Sequence, residues 1–160
     1  MKYRPGDRVE EIFKKINTDK LPFDLEPNKL NELGLDIADE LMETFKGLNL
    51  NPSLKWCLST IKKAKVFTLI YQANERGLTI YKEEIAKKLT EYSYKTIATI
   101  VDEGINKGYY ISLDPVVNEN KKISDKKVKN IRPSIDLISA FYNWNISRIA
   151  TVSKIINKYK

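Results

Sequence analysis

Residues 93–108 read Ser93-Tyr94-Lys95-Thr96-Ile97-Ala98-Thr99-Ile100-Val101-Asp102-Glu103-Gly104-Ile105-Asn106-Lys107-Gly108. Ile97, Ile100, Val101 and Ile105 recur at steps of one, three and four, which predicts a helix over 93–107 with those side chains inward. Ser93 supplies an N-cap hydroxyl, and Gly108 stands where a helix stops. The outward side carries Ser93, Tyr94, Lys95, Thr96 and Thr99. These are hydroxyls, an aromatic ring and one cation, a composition suited to a surface of hydrogen-bond donors and acceptors.

Upstream, Ile85, Ala86 and Leu89 give the apolar side of a short helix over roughly 81–89, and Thr90-Glu91-Tyr92 form a tight polar turn. A longer helix is expected over 53–75, capped by Ser53 and ended by Gly77, with Leu58, Ile61, Val66, Leu69, Ile70 and Ala73 in the core. Leu30, Leu33, Ile37, Leu41, Phe45 and Leu48 mark an amphipathic helix ended by Gly47 and Asn49–Pro52, and a short helix is expected near 7–18.

Downstream the period changes. Tyr109–Leu113 has strand character, Asp114-Pro115 opens a loop, and a second strand falls within Lys126–Arg132. The segment 120–132 holds Lys121, Lys122, Lys126, Lys127, Lys129 and Arg132 against the single acid Asp125. Pro133-Ser134 then begins a long helix. Its positions Ile135, Ile138, Tyr142, Asn145, Ile149, Val152 and Ile156 make a heptad-like seam, and Leu137, Phe141 and Trp144 lie on a second stripe. One stripe is expected to pack on the domain and the other to need a partner, which assigns Ile138, Tyr142, Ile149, Val152 and Ile156 to dimerisation.

Charge is unevenly spread. The chain of 160 residues is +7 overall, with −3 in residues 1–53, +7 in 54–132 and +3 in 133–160. That asymmetry favours one basic face for a polyanionic partner. There is no His, which removes the commonest general base and metal ligand, and no catalytic, cofactor-binding or metal site is expected. The one cysteine, Cys57, reads as a buried structural thiol of a reducing cytoplasm, with the chain expected to be nucleoid-associated. No apolar run is long enough for a membrane span.

Helix, short helix, tight turn, helix, strand, basic loop, strand is the order of a winged helix-turn-helix. The expected fold is mainly α, with a two-stranded β-wing and flanking N- and C-terminal dimerisation helices. The expected segments are an N-terminal arm over 1–53, a DNA-binding domain over 54–132 and a C-terminal dimerisation helix over 133–160. In such folds the second helix of the pair enters the major groove, and a cationic hairpin holds phosphates. Residues 54–134 resemble the MarR family of bacterial regulators. Ser93, Thr96, Asp102 and Gly108 match one motif, and Asp125, Ile131 and Ser134 match the wing.

The resemblance implies dimers on pseudo-palindromic operators, usually repressing transcription, with release by small aromatic ligands in some members. Double-stranded DNA, a second copy of the chain and a small-molecule effector are therefore the expected partners. The family's Arg in the reading helix falls on Thr99 here. Its wing Arg falls on Lys127, which lacks a bidentate fork. Gly104 stands where a large apolar residue is usual, with Ile105 expected to compensate. The alternatives are a replication, partition or architectural DNA-binding protein, and a winged-helix protein-interaction module.

Overall fold

The computed structural model describes residues 8–114 and 129–160. They form a mainly helical chain with one two-stranded antiparallel sheet. The order is α1 (Val9–Phe13), α2 (Leu30–Asn49), α3 (Pro52–Cys57), α4 (Ile61–Glu75), α5 (Lys82–Lys88), α6 (Tyr94–Asn106), β1 (Tyr110–Leu113), β2 (Asn130–Pro133) and α7 (Ile135–Tyr159). Two compact units result. One joins the residues up to Leu50 with Asn143–Lys160, and the other is Asn51–Tyr142, so α7 contributes to both. Among the described residues, no helix is long and apolar enough to cross a membrane.

The unit Asn51–Tyr142 has a packed core. Leu54 and Cys57 of α3, Val66, Phe67 and Ile70 of α4, Ile85 of α5, and Ile97 and Val101 of α6 are buried. The sheet closes this core with Tyr110 and Ile131, and the first turns of α7 close it with Leu137. The single helix expected over 53–75 is in fact two. Pro52 takes the first position of α3, and Thr60 then caps a fresh helix by accepting the Lys63 N–H at 3.2 Å. Ser53 is therefore not the cap, and Ile61, expected in the core, is exposed at the start of α4.

Gly77 and Gly108 end α4 and α6 with φ of 67° and 76°. That left-handed region suits glycine because a Cβ there meets the following carbonyl. The second strand, expected within Lys126–Arg132, runs Asn130–Pro133 and so ends one residue later. It pairs Tyr110 with Pro133, Ile111 with Arg132, Ser112 with Ile131 and Leu113 with Asn130. The chain segment before α5 joins this sheet edge. Ile131 N–H donates to the Ile80 carbonyl at 2.9 Å, and Ile80 N–H donates to the side-chain Oδ1 of buried Asn130 at 3.0 Å.

Ser134 caps α7, accepting the Leu137 N–H at 3.1 Å. Phe141 packs edge-on to Phe67 at 5.3 Å and against Tyr71 at 4.6 Å. The stripe containing Leu137 and Phe141 is thus the one that packs on its own domain. Tyr142, assigned to dimerisation, donates to Glu75 Oε2 at 2.7 Å inside the same unit.

The other unit pairs α2 with the C-terminal part of α7. Trp144 Nε1–H donates to the Thr44 carbonyl at 3.0 Å, and Lys158 bridges Glu32 and Asp36 at 3.1 and 2.8 Å. Tyr159 donates to Asp36 and stacks on Phe23 at 5.4 Å. The helix expected near 7–18 is confined to α1, followed by a 3-10 turn at Thr18–Lys20. Of the apolar stripe read on α2, only Leu33 is buried, while Ile37, Leu41 and Phe45 are exposed. Its period is helical, but among the described residues little of it is buried.

Candidate nucleic-acid interface

α6 positions the expected reading residues. Ile97, Ile100, Val101 and Gly104 are buried, so the remaining arc faces outward. At its N-terminus Ser93 Oγ accepts the Thr96 N–H at 3.1 Å and lies 3.0 Å from Thr96 Oγ1. The two hydroxyls are thus committed first to the cap, and Thr96 is half-buried. Thr99 donates its hydroxyl to the Lys95 carbonyl at 2.8 Å. Only oxygen lone pairs remain outward there, so Thr99 offers an acceptor. Lys95 is exposed one turn before it.

Tyr94 is half-exposed and donates to Glu83 Oε1 of α5 at 3.3 Å. Its phenol is held above the usual tyrosine range, first by loss of water around the ring and then by the Glu83 carboxylate. A groove of about 460 Å³ runs between α5, α6 and the hairpin, lined in part by Lys82, Glu83, Tyr94, Asp102, Ser112 and Lys129. It brings Tyr94 and Lys129 together from two separately read segments. It also holds two carboxylates that the charge distribution along the chain did not single out. Lys82 pairs with Asp102, and Lys129 lies 3.7 Å from Asp114. Arg132 is exposed on β2 opposite Ile111. Lys121, Lys122, Lys126 and Lys127 lie outside the described residues.

Basic residues that sequence alone did not mark also border the turn between α5 and α6. Lys65 of α4 pairs with Glu91 at 2.7 Å, which raises the lysine and lowers the carboxylate. Lys62 and Lys65 lie 5.9 and 5.7 Å from the Tyr92 ring centre. Lys87 and Lys88 are exposed in the last turn of α5. The helical period read over 53–75 named only the core side, and Lys62 and Lys65 were not singled out by it. Their nearness to the turn is a tertiary fact.

Cys57 is buried, 3.8 Å from the Tyr110 hydroxyl, and burial pushes its thiol up to about 12. Gly104 meets the ring of Tyr110, which fills the space beside α6. The compensation expected of Ile105 thus comes from β1, and Ile105 lines the groove instead. Compared with family models, characterised proteins and solved structures, the chain matches none.

Proposed function

We propose that this chain binds double-stranded DNA sequence-specifically, as a winged helix-turn-helix transcription regulator that acts as a dimer. In this reading α5 and α6 are the helix-turn-helix and β1–β2 is the base of the wing. α6 enters the major groove by its N-terminal half. Lys95 faces purine acceptors, and Thr99, whose hydrogen is already donated to the helix, accepts from the amino groups of adenine or cytosine. Lys121, Lys122, Lys126, Lys127, Lys129 and Arg132 hold phosphates, and the MarR-like pattern and repression follow from the same reading.

The observation that carries it is the shared groove. Tyr94 from the outward side of α6 and Lys129 from the hairpin base line one surface. The test is selection of bound sequences from random duplex DNA by the full chain, followed by titration in increasing salt. The expected result is an enriched motif of two-fold symmetry. Recovery of no motif, together with no duplex binding at low salt, rejects the proposal.

A second reading, a protein-interaction module, is favoured by one observation. Glu83 and Asp102 put carboxylates into the groove where phosphates would come close. A stable heteromeric partner in pull-down, without duplex binding, decides for it.

A further inference from the structure

The outward arc of α6 has a different neighbour on each side. Each residue turns an α-helix by about 100°. Counted from Tyr94, Ile105 falls at about 20° and Asp102 at about 80°, and these three share the groove with Ser112 and Lys129 of the hairpin. The exposed Lys95 and Thr99 follow at about 100° and 140°, and Glu103 at about 180°. Glu103 accepts the Trp56 Nε1–H at 2.8 Å and lies 3.9 Å from Lys63 in the first turn of α4. The start of α4 therefore flanks α6 on the side away from the hairpin.

That side is basic. Lys62 and Lys65 are exposed on α4 and lie within 6 Å of the Tyr92 ring centre, in the turn that leads into α6. Lys87 and Lys88 are exposed at the end of α5, directly before the same turn. Against them stand Glu91, paired with Lys65 at 2.7 Å, and Glu84, one turn before Lys88. An exposed ion pair of this kind is weak enough to exchange for a phosphate.

We infer that Lys62, Lys65, Lys87 and Lys88 form a second phosphate-binding patch, which holds the DNA backbone strand on the side of α6 away from the hairpin. The inference rests on the DNA-binding reading above and deepens it. A helix with its side chains is about 10–12 Å across, and the major groove is about 12 Å wide. A helix seated there has a phosphate strand close on both sides. The hairpin lysines can reach only one of them. The other strand falls to the lysines around the turn, which also fix how far the N-terminus of α6 enters the groove. Glu91 faces the same strand and weakens the contact, so the patch carries its own restraint.

The test uses the full chain and a duplex recovered by selection from random sequences, with affinity measured across a salt series. Lys62→Gln/Lys88→Gln is expected to lower the slope of log affinity against log salt by about 1.8, or 0.9 for each lysine, and to cost more than about tenfold in affinity at 0.1 M salt. Its melting temperature should match the parent, because both side chains are exposed. Lys107→Gln, about 20 Å along α6 from Tyr94, is expected to leave the slope unchanged. Glu91→Gln should act in the opposite sense and tighten binding. Neutral methylphosphonates along one strand should weaken the parent but not Lys62→Gln/Lys88→Gln. Parent binding with an unchanged slope in Lys62→Gln/Lys88→Gln overturns the patch and leaves the DNA reading standing. An equal loss per charge in Lys107→Gln also overturns it, since net charge alone then acts. A parent chain that binds no duplex rejects the DNA reading and the patch with it.

Discussion

The ring of Tyr110 occupies the space that a side chain at Gly104 would take. A Cβ there would overlap the ring, with Trp56 close on the other side. Tyr110 is buried and edge-on to Trp56 at 6.0 Å, so it has little room to yield. Alanine gains about 1 kcal/mol over glycine in a helix interior. Overpacking costs about 1–3 kcal/mol. Where the neighbour is a boxed-in ring, the cost wins. Gly104→Ala is expected to lower the melting temperature by several degrees, and Tyr110→Leu should relieve part of that loss in the double variant. Equal melting of Gly104→Ala and the parent contradicts this packing.

The bond from Ile80 N–H to Asn130 Oδ1 joins positions 50 residues apart in a buried place. Asn130→Leu leaves that N–H without its acceptor, at a cost of about 1–3 kcal/mol. The expected signature is faster hydrogen exchange at the Ile80 amide and a lower urea midpoint. An unchanged exchange rate at Ile80 would show that the bond does not form.

Cys57 supplies a pH dependence. Its folded thiol titrates near 12, against an ordinary value near 9.0. The folded state therefore favours the protonated form. That contribution is fully present below pH 9 and is lost as pH rises towards 12. The parent is expected to lose stability over this window more steeply than Cys57→Ala, measured by denaturant titration at each pH. Parallel curves would show that the thiol is not buried as described. At pH 8 the native thiol should also react with a thiol reagent only as fast as the chain unfolds.

The proposed DNA-binding residues divide into two kinds. Lys126→Glu/Lys127→Glu is expected to weaken binding to all duplexes alike and to reduce the salt slope by about one for each phosphate that no longer meets a lysine. Thr99→Ala is expected to relax preference at one base pair by about 1–3 kcal/mol and leave the salt slope alone. Thr96→Ala acts on preference too, and it also removes the hydroxyl beside the Ser93 cap. A gel-shift titration in which neither pair of changes alters affinity removes these residues from the interface.

The parts legible in the sequence were those set by neighbours along the chain. The α6 period, the Ser93 and Ser134 caps and the two glycine stops are local matters of backbone and side chain. The break between α3 and α4 was missed because apolar spacing runs through it, while Thr60 offers a competing cap. The period of α2 showed which residues share a side, but not that Ile37, Leu41 and Phe45 on it are exposed. Lys62 and Lys65 reach the turn before α6 only through the fold. The groove's two carboxylates were hidden because net charge sums over residues that never meet.

The sheet edge beside α5 is held by two bonds to Ile80, and one of them ends on a side chain, Asn130, where a main-chain carbonyl would ordinarily serve. A main-chain acceptor survives any substitution, whereas this one is set by the identity of residue 130. A substitution at 130 therefore removes one of the two bonds that tie the hairpin to Ile80, while the main-chain bond from Ile131 to Ile80 and the Tyr110–Pro133 pairing remain. How firmly the hairpin is braced is thus open to tuning at position 130 alone, by a side chain that no main-chain change need accompany.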